Sequence, residues 1–518
     1  MKKIVKKTRK YKKGLRLHSV YDGGSAFVKG GFGCIFKPAL QCKGNSIPVR
    51  KNYVSKLIKT KYGKREYTYV YNIKKKISHL PESIKKYFLL DSITICTPGQ
   101  LSTDDKKNIE DVCDNILSEV SDGASNGHVD SKNINNNLDK FKIINMPELS
   151  ISLTNYIKKT KITPIEIIRI NNIIIEYISK VIPELYKNGV IHGDIKADNL
   201  MFDHSNGNLL LIDWGLSYLQ NDDKKDIPEA LYILSTQWHH PFSSLLFNKN
   251  RINDCNVFLE TLKNEGIIVT RENVRGFITS EYKKISVNEK KQINVLNDTL
   301  MYAYHNEIKK TTKHHSEKDI KKIINDRVIR LIVEYNTDIF MRFIKDYKLY
   351  LDRYCNEVYI MNVDIWGVMS IYVDLIEKLS PLDNNNNVKS GFKTTITKIM
   401  DKLVNIHIEN LYKNGDKVIN IPKLVSDIKE LNEYLVSIDH GFNKNISVDS
   451  KISIKDVNKI HQKTKFSENI SILNKLEKYS STRFNSTKYK KKLLLHSPVD
   501  VVRGGKKTRK NRKAIHVS

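Results

Sequence analysis

The sequence of 518 residues contains no apolar run long enough to cross a membrane and no CxxC pair among its six cysteines. The N-terminal segment is basic but no apolar region follows it, so we expect no secretory signal. The scattered cysteines form no regular framework, which predicts reduced thiols of a cytosolic or nuclear-type compartment rather than disulfides or a zinc site. Acidic residues are also scarce, with 57 Asp and Glu against 88 Lys and Arg, a net charge of +31.

Most of that positive charge lies at the two ends of the chain. Residues 1–16 carry nine Lys or Arg and no acid, and residues 483–518 carry twelve against one Asp. Few large apolar residues accompany them, which predicts basic tails over 1–22 and 481–518. Such tails would contact nucleic acid or an acidic partner through charge, without reading sequence. Solvated tails that bind nothing are the alternative interpretation.

The most informative run is His-Gly-Asp-Ile-Lys-Ala-Asp-Asn at 192–199, followed by Leu-Ile-Asp-Trp-Gly at 211–215. It places Asp194, Lys196 and Asn199 on one tight loop and Asp213 just after a buried strand. Phosphoryl transfer from a nucleotide needs this set, because one Asp orients the attacking hydroxyl and a Lys neutralises the moving phosphate, while an Asn and a second Asp hold Mg²⁺. Both strings, in this order, predict nucleotide-dependent phosphoryl transfer.

A cluster of glycines near the start of the chain predicts a phosphate-binding hairpin. Gly30, Gly31 and Gly33 lie within Phe27–Phe36, flanked by β-favouring residues, and glycine lets backbone amides approach a triphosphate. Val28 stands where the first glycine of G-x-G-x-x-G would fall, so the match is partial. An ordinary hairpin turn is the alternative.

The next predicted strand, Tyr53–Ile58, carries a lysine inside an apolar alternation. Lys56 is predicted to hold the α- and β-phosphates and to pair with a glutamate of the following helix. An exposed lysine on an edge strand is the alternative. Glu66, within the helical segment 64–80, is favoured over Glu82, which lies past the helix.

Two further segments would support the loop at 192–199. Thr163, Pro164 and Glu166 predict a helix start, and the apolar stripe that follows would lead the chain into the loop. Farther on, Val363–Val368 resembles the helix start that anchors such a loop in protein kinases, which implies that Asp364 accepts hydrogen bonds from loop amides and that Trp366 packs beneath it.

These motifs together resemble a known family. Gly-Gly-Phe-Gly-Cys-Ile at 30–35 and His-Gly-Asp-Ile-Lys-Ala at 192–197 are similar to eukaryotic-type serine/threonine protein kinases of the vaccinia-related and casein-kinase-1-like group. The abundance of Ile, Asn and Lys fits the AT-rich genome of a large DNA virus. The resemblance implies an α+β, bilobal protein-kinase-like fold, with a small antiparallel β-sheet lobe over 23–146 and a large helical lobe over 147–480.

The resemblance also implies the cofactors ATP and Mg²⁺ and a role for each candidate residue. Asp194 would be the catalytic base, and Lys196 would contact the γ-phosphate and the substrate hydroxyl. Nucleotide binding would fall to the glycine hairpin and to the Lys56–Glu66 ion pair, and metal binding to two oxygen ligands. The assigned residues are Gly30, Gly31, Gly33, Lys56, Glu66, Asp194, Lys196, Asn199 and Asp213.

Several positions depart from the family pattern. Gly193 replaces the arginine that pairs with a phosphorylated activation loop in many kinases, which argues against that form of regulation. Trp214 stands where a Phe is usual, and no Glu follows Pro241, which leaves the substrate-docking surface in question. The adjacent His239 and His240 are a weak candidate for a metal site, because neighbouring side chains point apart and no acidic or Cys partner is near.

Two insertions enlarge the predicted domain. One, about 97–139, is rich in Asp, Asn and Ser, and we expect a partly flexible excursion with little to bury. The other, about 248–357, is too long for a loop and predicts an added helical subdomain. Its apolar stripe includes Ile323, Ile324, Val328, Leu331 and Ile332.

Three functions are compatible with the sequence. The first is a serine/threonine protein kinase that transfers the ATP γ-phosphate to hydroxyls of a protein substrate. The alternatives are a small-molecule phosphotransferase, because such enzymes also use a His-Gly-Asp loop, and a catalytically silent scaffold that binds polyanions through its tails. A viral kinase would act in the host cytoplasm or a viral factory, with the virion or nucleus as further places.

Overall fold

The computed structural model describes the chain from Ser25 to Ile446, with gaps. The described residues are 25–29, 33–44, 52–117, 129–204, 206–220, 227, 231, 238–284, 291–311, 316–384 and 390–446. Gly30 and Gly31 of the predicted hairpin and both predicted basic tails lie outside them.

The first part of the chain forms a five-stranded antiparallel sheet in the order β1-β2-β3-β5-β4. Strand β3 lies at its centre, and every residue of β3 is paired with β5. Of the predicted hairpin Phe27–Phe36, Phe27–Lys29 lie in β1 and Gly33–Phe36 lie in β2, and these two strands pair antiparallel. The strands are β1 Ser25–Lys29, β2 Gly33–Lys37, β3 Tyr53–Lys59, β4 Thr94–Cys96 and β5 Phe141–Pro147.

Helix α1, Thr60–Lys76, follows β3 directly and covers the sheet with one face. Its buried residues, Gly63, Glu66, Val70 and Ile73, recur at helical spacing, so a charged residue shares the face that packs inward. The helix ends four residues earlier than the predicted segment 64–80. Three lysines occupy its last turn, where positive charge is favourable to the helix dipole.

The insertion between β4 and β5 has a core of its own. A short helix, α2 Glu82–Lys85, precedes β4, and α3 Ile109–Leu117 lies within the insertion. The expectation of little to bury is wrong for its described part, because apolar side chains spaced irregularly in sequence converge on β1, β2 and β3. The buried residues of this insertion are Leu101, Ile109, Cys113, Ile116, Leu117, Val129, Ile134 and Leu138.

Two disulfides tie this region together, so the prediction of six reduced cysteines is wrong. Cys34 of β2 is bonded to Cys113 of α3, and Cys42 is bonded to Cys96 of β4. The partners are 79 and 54 residues apart in sequence, which no local spacing reveals. The remaining cysteines, Cys255 and Cys355, are buried free thiols.

The second part of the chain is mainly helical. Two short β-ladders carry the loop at 192–199: β6 Val190–Ile191 pairs with β9 Tyr218–Leu219, and β7 Leu200–Phe202 pairs with β8 Leu209–Leu211. The helices are α4 Leu153–Lys159, α5 Pro164–Glu176, α6 Ile182–Lys187, α7 Lys249–Asn264, α8 Arg271–Lys283, α9 Lys291–Thr311, α10 Glu317–Phe343, α11 Leu351–Tyr354, α12 Ile360–Met369, α13 Ile371–Asn384, α14 Ser390–His407 and α15 Ile421–Ile446.

The predicted helix start before the loop is confirmed. Thr163 caps α5 by accepting a hydrogen bond from the backbone N–H of Glu166, and Pro164 is its first residue. One turn of π-helix, Tyr177–Val181, separates α5 from α6 just before Pro183, which cannot donate a backbone hydrogen bond.

Four of the helices, α7 to α10, form the predicted helical insertion. Its longest member, α10, buries Ile324, Val328 and Ile332, whereas Ile323 is exposed. A two-stranded hairpin, β10 Ile344–Lys345 with β11 Lys348–Leu349, ends the insertion. The small antiparallel sheet followed by a mostly helical part is the bilobal α+β architecture that the sequence predicted.

One helical run, Leu351–Ser380, has the length and composition to cross a membrane. However, 83% of its most apolar window is buried inside the protein. Burial of this extent is what a core helix shows, and the run includes the fully buried Asp364. We therefore treat it as part of the core.

Candidate active site

The loop at 192–199 connects β6 of one short ladder to β7 of the other, and the buried carboxylate of Asp364 holds it in place. Asp364 accepts hydrogen bonds from the backbone N–H groups of His192 (2.9 Å, Oδ2) and Gly193 (2.8 Å, Oδ1), which confirms the predicted contact. Burial raises the pKa of Asp364 to about 7, and the two N–H donors act against that rise. Trp366 is buried on the same helix, α12.

His192 completes the base of this loop. Its Nδ1 accepts a hydrogen bond from the backbone N–H of Asp194 (3.3 Å), so its Nε2–H donates to the carbonyl of Ile212 (3.1 Å). This is a neutral imidazole, in agreement with burial, which lowers the pKa of His192 to about 4. His192 therefore links the loop to the strand end that carries Asp213, and it is not placed as an acid or base.

Asp194 receives hydrogen bonds from three side chains. Oδ1 accepts from Lys196 Nζ (2.9 Å) and His239 Nε2 (2.7 Å), and Oδ2 accepts from Lys196 Nζ (2.9 Å) and Asn199 Nδ2 (2.8 Å). Burial raises the pKa of this carboxyl, but the hydrogen bond from His239 and the Lys196 ammonium outweigh it and hold the pKa well below the usual range. Asp194 is thus an ionised acceptor at a fixed orientation.

Asn199 and Asp213 are brought together by strand register. Leu200 of β7 pairs with Leu211 of β8, and the backbone N–H of Ile212 donates to the carbonyl of Asn199 (3.0 Å). Both side chains therefore emerge at the same end of one ladder. Asp213 has a φ of +62°, in the left-handed region that Asp tolerates better than most residues.

Lys56 joins the small sheet to this ladder. Its Nζ lies 2.9 Å from both carboxylate oxygens of Glu66 and 2.9 Å from Asp213 Oδ1. Burial disfavours the charge on Lys56, but the carboxylates of Asp213 and Glu66 overcome it and raise its pKa above the usual value. Glu82, the competing partner in the sequence, lies in α2 and forms an ion pair with Lys85 instead.

Gly33, the described glycine of the hairpin, has a close-packing role of its own. A Cβ at this position would lie 2.6 Å from the backbone carbonyl of Leu57 in β3. A side chain here would therefore separate β2 from β3, the strand that carries Lys56. Val28, at the position of the missing first glycine, lies in β1 opposite Ile35.

The oxygen atoms at the ladder end fit a magnesium ion. Asn199 uses its amide N–H₂ group on Asp194, which leaves its carbonyl oxygen, and the Asp213 side chain is 41% exposed with one oxygen on Lys56. Mg²⁺ prefers oxygen ligands and is usually bound through one or two carboxylates plus substrate phosphates. Within the described ranges no group of three or more His, Cys, Asp or Glu could hold a metal alone. Asn199 and Asp213 would therefore share the ion with a bound nucleotide.

The expectation that His239 and His240 point apart, with no acidic partner near, is wrong. Each aims its Nε2 at the loop, His239 at the Asp194 carboxylate and His240 at the carbonyl of Gly193 (2.7 Å). The signal in the sequence was a pair of histidines where a docking motif was expected, and it was weighed only as a metal site.

Comparison with known proteins gives one family match. Residues 108–241 match the model of the protein kinase domain. The matched segment contains Asp194, Lys196, Asn199 and Asp213, whereas Lys56 and Glu66 precede it. No match was found among curated proteins. The match agrees with the bilobal α+β fold, which is that of a protein kinase.

Among solved structures, the chain is similar to the kinase PK-1 of Cydia pomonella granulovirus. The two share 17% identity over 38% of this chain, with a TM-score of 0.20. The chain spans 55% of the length of that kinase. A likeness of this extent adds no argument about the function of this chain.

Proposed function

We propose that this chain is a serine/threonine protein kinase that uses Mg²⁺ and ATP. The observation that carries the proposal is the ion cluster in which one lysine of the sheet, Lys56, contacts Glu66 of α1 and Asp213 at the ladder end. This cluster lies beside the loop that holds Asp194. The charges of this cluster and the Asp194 carboxylate thus lie in one site, which supports the proposal because phosphoryl transfer needs both.

In this mechanism the residues of the chain bind and orient. Lys56 would hold the α- and β-phosphates while Glu66 keeps its ammonium group in place. Mg²⁺, when bound, would neutralise charge on the phosphate oxygens through Asn199 and Asp213. Lys196, 25% exposed and paired with Asp194, would contact the γ-phosphate as the hydroxyl attacks.

Asp194 would accept a hydrogen bond from the substrate hydroxyl and aim the hydroxyl oxygen. The low pKa of Asp194 makes it a weak base. We therefore expect the proton of the substrate hydroxyl to move late, after the bond between the γ-phosphorus and the leaving oxygen has lengthened. Phosphoryl transfer has a loose transition state that asks for positioning more than for strong basicity. In the kinase family, a lysine two residues after the catalytic aspartate is typical of enzymes that phosphorylate Ser or Thr rather than Tyr. Lys196 occupies this position relative to Asp194.

The first test is transfer of labelled γ-phosphate from ATP to casein, to a basic protein and to the chain itself. We expect label on Ser or Thr of a protein. Asp213→Asn should abolish transfer while the protein stays folded, because the half-exposed Asp213 side chain serves a ligand rather than the core. Asp91→Asn is the matched control, since Asp91 forms an exposed pair with Lys74.

Other outcomes point to the alternative functions. A thermal shift with Mg²⁺–ATP but no transfer to protein would favour a small-molecule phosphotransferase. Neither transfer nor a shift would favour a scaffold that binds polyanions through its basic ends. Membership of the vaccinia-related and casein-kinase-1-like group, a viral origin and a place of action in host cytoplasm or viral factory stay predictions from motifs and composition.

A further inference from the structure

Two adjacent histidines, His239 and His240, contact Asp194 and Gly193 of the loop at 192–199. In the proposed function this loop is the catalytic loop. Both histidines are 1% exposed, and they lie directly before the 3₁₀-helix Phe242–Phe247. His239 Nε2 is 2.7 Å from Asp194 Oδ1, and His240 Nε2 is 2.7 Å from the carbonyl oxygen of Gly193. One histidine therefore fixes the side chain that aims the substrate, and the other fixes the peptide before it.

The direction of these hydrogen bonds follows from their partners. A carboxylate and a backbone carbonyl only accept, so both Nε2 atoms carry the hydrogen and donate it. Burial lowers the pKa of both rings, to about 3 for His240, so both are neutral when the protein is folded at neutral pH. His239 Nδ1 is buried with no hydrogen-bond partner among the described residues. The ring of His239 thus offers a single polar contact, which is directed at Asp194.

The backbone conformation of Gly193 disfavours a side chain at this position of the loop. Its φ is +73°, and a Cβ at this position would lie 3.0 Å from the carbonyl oxygen of Leu216. An arginine at 193 would therefore be strained. Gly193 is held on both sides, because its N–H donates to Asp364 (2.8 Å) and its C=O accepts from His240.

We propose that His239 and His240 are positioning residues for phosphoryl transfer, and that they hold the catalytic loop in its working geometry without a phosphorylated activation segment. The inference rests on the proposed function and adds residues and a mode of control to it. Neither histidine touches the reacting atoms. Each acts through the orientation of the loop, His239 through the carboxylate of Asp194 and His240 through the Gly193 peptide.

Paired substitutions separate the hydrogen bond from the shape of the ring. Phenylalanine keeps the ring without a donor, and glutamine keeps an N–H donor without the ring. We expect His239→Phe and His240→Phe to lower kcat about 10- to 100-fold, the usual loss when a partner that orients an active-site group is removed. KM for ATP should change little, because Lys56 and Asp213 are untouched. His239→Gln and His240→Gln should recover most of kcat.

His407→Phe is the matched control. It removes another buried imidazole, whose Nε2 contacts the Tyr412 hydroxyl (3.1 Å) and not the loop. It should keep kcat. Phenylalanine variants with the kcat of the wild type would overturn the proposal, and so would glutamine variants as impaired as the phenylalanine ones.

Phosphatase treatment of the wild-type protein gives an independent test that needs no variant. We expect its transfer activity to be unchanged within about twofold, since no phosphate is needed to hold the loop. Loss of most of the activity would overturn the proposal even if the variants fail to fold. A wild-type protein that transfers no phosphate before treatment would instead contradict the proposed function, so the two failures are distinguishable.

Discussion

Gly367 is a residue whose missing side chain lets a helix approach the loop at 192–199. It lies in α12, three residues after Asp364, and a Cβ there would be 2.3 Å from the carbonyl oxygen of Ile195. That oxygen belongs to the loop between Asp194 and Lys196. The close approach therefore sets how far the Asp364 carboxylate reaches toward the loop amides.

We expect Gly367→Ala to destabilise the protein by about 1–3 kcal/mol, the usual range for overpacking, because the backbone must shift to admit the methyl group. The shift moves the loop, so kcat should fall as well. Urea unfolding and the transfer assay measure the two effects.

Gly276→Ala is the control for the helical context. Gly276 is exposed within α8, and a Cβ there would meet nothing within 4 Å. This change should stabilise the protein by about 0.5–1 kcal/mol, since alanine loses less backbone freedom on folding. Equal effects of the two alanines would contradict the close-packing argument at Gly367.

The residues that could be read from the sequence are those whose partners lie in the same short motif or in a known pattern. Asp194, Lys196 and Asn199 fall within six residues, and their mutual hydrogen bonds follow from one tight loop. The contact from His239 joins positions 45 apart. The local sequence around His239 does not indicate this contact. A histidine at this position could equally be a metal ligand or a buried core residue.

At the scale of elements, the insertion between β4 and β5 is cross-linked to the sheet that it covers. Helix α3 is joined to β2 by Cys34–Cys113, and Cys34 follows Gly33, the first residue of β2. The second disulfide, Cys42–Cys96, joins the segment after β2 to β4. Both cross-links lie in the small sheet part of the protein.

We expect oxidised protein, unfolded in denaturant without reductant, to show two reactive thiols, Cys255 and Cys355, and six after reduction. Reduction should lower the free energy of unfolding by about 2–4 kcal/mol per disulfide, because each cross-link restricts the unfolded chain. A Cys34→Ala, Cys113→Ala variant should lose part of this response to reductant.

Cys255→Ala is the control, since it removes a buried thiol and no cross-link. It should leave the response to reductant unchanged. Six reactive thiols in the unreduced protein would contradict both disulfides.

Elements were predictable where the signal was local and periodic. The Thr163 cap and the apolar stripe of α5 need no distant partner to be recognised. In the helical insertion, apolar residues recur at helical spacing along the whole length of α10. The 97–139 insertion was misjudged because its buried residues are scattered among polar ones. Their burial depends on a sheet built from residues far away in the sequence.

At the scale of the whole molecule, buried ionisable groups make stability depend on pH in two opposite directions. Burial lowers the pKa of His192 and His407 to about 4 each, below the ordinary value of 6.5. As the pH falls, these histidines bind protons in the unfolded chain before they do so in the folded protein. Their contribution to the free energy of unfolding is therefore complete above pH 6.5 and is lost as the pH falls toward 4. Burial raises the pKa of Asp364 and Asp374 to about 7, so their contribution is lost as pH rises from 4 to 7.

The buried histidines and the buried aspartates have opposite effects on stability as the pH changes. The effect of a single histidine is therefore best measured as a difference in free energy of unfolding between the wild type and a variant without that histidine. His407 suits this purpose, since it lies outside the loop at 192–199 and its pKa is lowered by burial, with only a backbone hydrogen bond at Met369 acting in the other direction. One pKa unit corresponds to about 1.4 kcal/mol, so protonation of His407 on acidification costs up to about 3 kcal/mol.

We expect His407→Phe to remove this cost. The difference in free energy of unfolding between wild type and variant, measured with urea, should shift in favour of the variant by about 2 kcal/mol between pH 7 and pH 5, part of the full effect. A difference that stays constant with pH would mean that His407 is not held neutral by burial, and the same argument would then fail for His192.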